Sequence, residues 1–350
     1  VEVWDEESRK YLPENRRRFH DDYFSLLAQL EAGVTNKAWA DAFFVSASYS
    51  KEDKELQTGS VQSKVYGIAE RQADAWNVSA RYRKSNFLLD GLRLNALLSH
   101  TWDHSLTVDT AYRKYDWNGN YISSSRNEIT GRGRSMRHYK RPLTIVRANM
   151  DYAWNEHHSL NLNYQLSRTG NDRYDDVDTD FEAANDVLSK HILGLSYQQS
   201  FFDARMENTF FVKDYINHLL VRQTDLYWQT GSENMMGANT KSYWGGGAGS
   251  RFTFVEPFSL KFSYERSVRL PLAREMLGNG TTIYANVALK PESSHNVNGG
   301  FFGTWHPARN HTLYYEANGF MRNVDDYIQA TVSEKEGMMQ YENVPAVHIK

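Results

Sequence analysis

Cysteine is absent from the 350 residues. Disulfides, thiolate metal sites and cysteine nucleophiles are therefore excluded. Proline is scarce, at 7 residues, well under the usual share of about 5%, so this is not a Pro-rich linker protein. No stretch approaches the roughly 18 unbroken apolar residues of a membrane helix, which excludes a helical membrane protein. A membrane protein built of strands stays open, because it hides its apolar residues at every second position. An excess of one charge is also missing: 40 Lys and Arg stand against 43 Asp and Glu, a net charge of −3. That rules out a polycationic nucleic-acid binder and an acidic tail. The first residues hold no Met start, basic n-region or apolar h-region. No signal peptide is expected, and the chain reads as mature or partial.

What is present in quantity is aromatic: Tyr 22, Phe 17 and Trp 9. Disordered chains are poor in these residues. The apolar residues alternate. Phe24, Leu26, Ala28, Leu30 and Ala32 fall on one face of a period-two pattern. Trp76, Val78, Ala80 and Tyr82 oppose Asn77, Ser79, Arg81 and Arg83. Leu92, Leu94, Ala96, Leu98 and Trp102 oppose Arg93, Asn95, Ser99 and Thr101. Val146, Ala148, Met150 and Tyr152 oppose Arg147, Asn149 and Asp151, while Leu160, Leu162 and Tyr164 oppose Asn161, Asn163 and Gln165. Side chains of a strand alternate sides, so these are strands with one apolar and one polar face. A soluble sandwich also alternates. The apolar faces here end in Trp39, Tyr49, Trp76, Tyr82, Trp102, Tyr152, Trp154 and Trp305, as expected of aromatic girdles at two membrane interfaces. The pattern favours a lipid-facing barrel.

Short links near 34–37, 85–90, 155–158, 199–203, 255–257 and 307–311 alternate with long ones near 51–74, 104–142, 168–189, 218–241, 268–292 and 326–338. Outer-membrane barrels have short periplasmic turns and long extracellular loops. The runs between links predict about thirteen strands in an all-β, antiparallel up-and-down transmembrane barrel, with residues 1–350 as one barrel domain and no visible domain boundary.

Residues 258–304 carry an ordered set of elements: Arg269, Pro271 and Glu275, then Asn286, Leu289, Pro291 and Glu292. Tyr327 and Ile328 at a strand end and a later Asn343 continue the set. In order and spacing it resembles the TonB-dependent outer-membrane transporters. The resemblance implies the bacterial outer membrane and import of a bulky, scarce nutrient, a ferric siderophore or other iron source first, with haem, cobalamin or oligosaccharide open. It implies partners: outer-membrane lipid and lipopolysaccharide, a small nutrient ligand, and a TonB-type energy transducer acting through a plug. The family's plug is not recognisable in this chain, and its barrels have about 22 strands, so the chain resembles part of a barrel. A passive porin-like channel or a structural barrel is the alternative.

No nucleophile or acid/base set is visible, so the chain is read as no enzyme, with no cofactor and no resident metal. The GGGAGS run at 245–250 lies inside an alternating strand, where small residues ease close packing. Asp176, Asp178 and Asp180 have calcium-loop spacing, but Phe181 and Val187 stand where Gly and Glu are needed. The candidate ligand residues are Arg132, Arg134, Arg137, His138 and Tyr139 in a basic loop, and Tyr227 and Trp228 in an aromatic one. A basic loop suits an anionic ligand or lipopolysaccharide, or balances the acidic loop at 171–182. Its predicted place on an outer loop disfavours nucleic acid. A haem ligand would need a histidine aimed into the lumen, with His104, His138, His191 and His218 as candidates.

Overall fold

A computed structural model describes all residues except 6, 60, 132, 182, 223–235, 256, 280–282 and 334–337. The strands in chain order are β1 (Glu2–Asp5), β2 (Lys10–Pro13), β3 (Tyr23–Lys37), β4 (Ala40–Glu55), β5 (Glu70–Lys84), β6 (Leu92–Asp109), β7 (Arg113–Tyr115), β8 (Tyr121–Ser123), β9 (Ser135–Lys140) and β10 (Leu143–Asn155). They continue as β11 (His158–Asp175), β12 (Ala184–Phe201), β13 (Met206–Val221), β14 (Gly237–Val255) and β15 (Phe258–Arg269). The helix α1 (Ala273–Leu277) then precedes β16 (Ile283–Tyr284), β17 (Glu292–Ala308), β18 (His311–Ser333) and β19 (Met338–Ile349).

One 15-stranded sheet carries the fold. Apart from β9 and the two-residue β16, each of its strands pairs antiparallel with its sequence neighbours, which leaves thirteen lanes from β3 to β19. This is the meander expected from the alternation. β9 shares the lane of β10, since both pair with β6 and β11. The lane breaks at Arg141–Pro142 because proline cannot donate to a ladder. β16 lies parallel along the free edge of β19. β3 has only β4 beside it, and both its faces are exposed.

The sheet curls. Ala42 and Phe44 of β4 line the same cavity of about 840 Å³ as Phe211 and Lys213 of β13, six lanes away. The inner face holds Arg81, Arg83, Asn95, Arg147, Asn149, Asn163 and Gln165. On the outer face Trp76, Val78, Leu98, Met150, Leu160 and Leu162 are exposed, with Trp102, Leu193, Leu195 and Val212 beside them. Leu94 and Val146 on that face are half-buried. Pairing accounts for both faces: a backbone with every ladder bond made can turn apolar side chains outward and keep polar ones in the trough.

Of the six long links expected, four lie where expected, after β4, β6, β11 and β15, and a fifth, over 218–241, falls largely outside the described residues. The sixth, expected as a long loop over 326–338, is a correction. β18 runs on to Ser333 and pairs with β19 from Met338. The β-prone run Tyr327, Ile328, Thr331 and Val332 extends the strand where a loop was expected.

Candidate functional site

Two adjoining parts form the site: the polar trough, and the rim where the long links gather. In the trough Arg81 pairs with Glu31 at 2.6 Å, Arg93 with Asp151 at 2.5 Å and Lys213 with Glu265 at 2.9 Å. Among the described residues Arg83 and Arg147 have no such partner, so this wall carries unneutralised positive charge into the cavity. Asn149 donates to Asn163 at 2.7 Å, and Asn77 donates to Ser99 and Thr101 at 2.8 Å each. These amide and hydroxyl ladders follow from the period-two pattern, which brings polar residues of adjacent lanes together on the inner face.

The link from β15 to β17 is a strap folded over the trough. Pro271 follows the end of β15 and Pro291 immediately precedes β17, so neither interrupts a ladder. Glu275, only 2% exposed, accepts from Arg269 Nη2 at 2.5 Å and from the Leu272 amide at 2.8 Å. It thereby satisfies an otherwise orphan donor at the start of α1. Glu292, buried beside it, accepts from Arg269 Nη1 at 3.3 Å and from the Ile328 amide at 2.9 Å. Gly278 ends the helix at φ +68°, where a Cβ would lie 2.6 Å from the Ile283 carbonyl oxygen. Met276, Leu277, Val287 and Leu289 of the strap pack against Leu188, Leu219 and Val221 on one wall and Ile328 on another. Asn286 donates to the Tyr341 carbonyl at 2.9 Å. Asn343 accepts from the Lys290 amide at 2.9 Å and donates to the carbonyls of Lys290 at 3.0 Å and Asp326 at 2.7 Å. The structure thus brings Arg269, Pro271, Glu275, Asn286, Leu289, Pro291, Glu292, Ile328 and Asn343 into one rim cluster. Tyr327 stands opposite Val344 on the adjoining ladder.

The other long links are held by buried acceptors that sequence reading missed. Asp109, at the loop end of β6, accepts the amides of Glu128 and Ile129 at 2.9 Å and of Thr130 at 3.4 Å. Burial pushes its carboxyl up to about 6, against the pull of those amides. Glu128 in turn accepts the amides of Gly67, Ile68 and Ala69 at 2.9–3.2 Å. Gln57 accepts from the amides of Phe19 and His20 and donates to the Tyr66 carbonyl. Burial pushes the Tyr66 phenol up as well, and its hydroxyl has no hydrogen-bond partner among the described residues. Nothing in their local sequence marks these residues; their partners lie 9 to 61 positions away.

The basic loop is matched by the acidic one. Arg137 pairs with Asp175 at 3.3 Å and with Asp178 at 3.4 Å, and lies 4.0 Å over the Phe181 ring. His138 contacts Asp176 at 2.9 Å and His104 at 2.9 Å. Tyr139 is buried under Arg141. Arg134 is exposed, 5.1 Å over the Tyr112 ring. Arg132, Tyr227 and Trp228 lie outside the described residues. The histidines considered as haem ligands do not face the trough. His104 shares its face with Trp102, His138 stands opposite Leu106, His191 alternates with Leu193, and His218 alternates with Val212, all on the outer wall. Among the described residues no group of three or more His, Asp or Glu is placed to hold a metal ion.

Residues 17–350 match the family described as TonB dependent receptor-like, beta-barrel. The chain belongs to this family. Barrels of the TonB-dependent receptors are bacterial outer-membrane proteins, and the family and its structural neighbours are transporters and receptors. The copper transporter OprC aligns at a TM-score of 0.67 and 13% identity, covering 99% of this chain and 50% of its own. The FrpB iron transporter from Neisseria meningitidis (F3-3 variant) aligns at 0.59 and 13%, covering 94% and 48%. A double mutant of the Serratia marcescens hemophore receptor HasR, in complex with HasA and heme, aligns at 0.56 and 15%, covering 97% and 52%. The chain spans about half the length of these TonB-dependent receptor structures. No curated protein sequence matches it.

Proposed function

We propose that this chain is a barrel portion of an outer-membrane importer. It takes up a bulky, scarce nutrient, a ferric siderophore or another iron source first, with energy from a TonB-type transducer acting through a plug. Haem, cobalamin and oligosaccharide are the other ligand classes. In this reading the rim of long links faces the outside, and residues 1–350 belong to one barrel domain whose outer wall meets lipid and lipopolysaccharide. The observation that carries the proposal is the cationic trough of about 840 Å³ inside an apolar wall, with the link from β15 to β17 packed as a strap against the inner face of β12, β13 and β18. A trough that size takes a bulky chelate, and unpaired Arg83 and Arg147 favour an anionic one. Exposed Arg134 supports a first-contact role for the basic link, with Arg137, His138 and Tyr139 bracing that link; Arg132, Tyr227 and Trp228 belong to the same reading. The strap argues against a passive channel, because an open pore has no use for an apolar bar over its lumen.

Uptake of radiolabelled ferric citrate and of a hydroxamate siderophore by cells carrying the full-length gene tests this. Deleting the gene should abolish uptake of one of them, and deleting the energy transducer should do the same. Uptake that persists without the transducer would establish the passive channel instead.

A further inference from the structure

The outer wall carries a feature that import does not explain. Arg168 of β11 is exposed on the face of Leu160 and Leu162, one step beyond Leu166 toward the long-link rim. It makes no ion pair and no hydrogen bond among the described residues. Its ladder row holds no carboxylate: reading across the lanes it is His100, Thr144, Arg168, Ser189, His218 and Thr240. The imidazoles of this patch are oriented. His191, diagonal to Arg168, contacts the Tyr164 hydroxyl through Nδ1 at 2.9 Å. His218 contacts Thr240 Oγ1 through Nδ1 at 2.7 Å. In both rings Nε2 makes no hydrogen bond among the described residues. With Nδ1 engaged by a hydroxyl, Nε2 is the ring nitrogen left for a ligand, and it donates whenever the hydroxyl is the donor to Nδ1 or the ring is protonated. The arrangement recurs around Arg266, exposed and without a partner among the described residues, whose cross-strand neighbour His295 contacts the Tyr264 hydroxyl through Nδ1 at 2.8 Å.

A guanidinium with no counter-ion, set among hydroxyls and imidazole N–H groups at the upper border of an apolar band, is built for a phosphate. We propose that the patch of Arg168, His191 and His218 binds the phosphorylated headgroup of an outer-leaflet lipid. The charge complementarity is the reason: the acyl chains lie along Leu160, Leu162, Leu193 and Leu195 below, and the phosphate meets the cationic row at their upper end. A soluble phosphate would have no such apolar wall beneath it. The proposal rests on the outer-membrane reading above, and its readout is lipid retention, which does not involve transport.

Density fractionation first places the full-length protein in the outer membrane. The protein is then delipidated in detergent, mixed separately with bisphosphorylated lipid A, monophosphorylated lipid A and phosphatidylethanolamine, and weighed by native mass spectrometry. Bisphosphorylated lipid A should be retained in preference to the other two. Retention should fall at least fivefold in the Arg168→Gln/His191→Gln double variant and stay unchanged in Arg309→Gln, at the opposite rim. Inorganic phosphate at 100-fold excess, as an order of magnitude, should not displace the lipid. Equal retention by the double variant, equal retention of phosphatidylethanolamine, or displacement by free phosphate would each overturn the proposal. Should the double variant not fold, as judged by heat-modifiable gel mobility, the preference of the unaltered protein between the two lipid A forms decides the matter: no preference overturns it.

Discussion

Glu292 holds three parts of the rim with one carboxylate. It takes hydrogen bonds from Arg269 and from the Ile328 amide, and forms an ion pair with Arg322 at 3.9 Å. Glu292→Ala removes the acceptor and leaves a buried amide and a guanidinium without it. An orphaned buried donor costs about 1–3 kcal/mol, so the folded barrel yield should fall, read as the heat-modifiable fraction on a gel. Ligand affinity per folded molecule should stay within twofold, since the cluster shapes the rim and supports the strap. Normal yield with a tenfold weaker affinity, about 1.4 kcal/mol, would reverse that assignment. Asp109 gives a pH-dependent counterpart. Its folded carboxyl titrates near 6, above the ordinary 3.8. A raised folded value means the folded form holds the proton more tightly, so stability is greatest below about pH 4 and is lost as pH rises through 6. The difference is worth about 3 kcal/mol of local stability. Hydrogen exchange at the Ile129 and Thr130 amides, corrected for intrinsic rate, should therefore be slower at pH 5 than at pH 7. In Asp109→Asn the two pH values should give equal protection.

At the scale of elements, β14 decides how tightly two lanes approach. Its glycine run invites a phosphate-loop reading in the abstract, yet in the sheet it is a packing device. A Cβ on Gly247 would collide with the Tyr264 carbonyl oxygen and lie 2.8 Å from Phe211 Cζ, whose ring covers the glycine. Two positions along, a Cβ on Gly249 meets nothing closer than 3.5 Å. Gly247→Ala should destabilise by about 1–3 kcal/mol, the cost of overpacking. Gly249→Ala should be tolerated. Urea midpoints of the refolded barrel variants compare the two, and equal midpoints would refute the packing account. The same close-packed inner face explains why β14 reads as glycine-rich without being a loop.

Over the whole molecule, the two faces of the sheet meet different surroundings. Leu162 and Asn163 are adjacent in sequence and lie on opposite faces, Leu162 outside and Asn163 in the trough. An arginine on the lipid face near mid-depth costs about 2–4 kcal/mol, while a lumen substitution does not. Leu162→Arg should thus sharply lower refolding into lipid vesicles. Asn163→Arg should refold nearly as the unaltered protein. Equal refolding of both would mean that the outer wall does not face hydrocarbon.

Much of this architecture was already legible in the residues. The two-residue period of Trp76–Tyr82, Leu92–Leu98 and Leu160–Tyr164 is a local property, because a strand turns successive side chains to opposite faces whatever surrounds it. It determined the number of lanes, their order and the polarity of each face. The spacing of Arg269, Glu275 and Glu292 pointed to the family. Pairing between distant segments was a different matter. That Asp109 holds the segment after Asn127 and that Arg137 answers Asp175 depends on register across lanes tens of residues apart, and that Glu128 caps the amides at Gly67–Ala69 depends on how two links between those lanes fold together. A one-residue shift would send each of those side chains to the other face. The histidines make the point most sharply. His104, His138, His191 and His218 have the chemistry of a ligand site in the sequence, and register alone placed them on the outer wall, away from the trough.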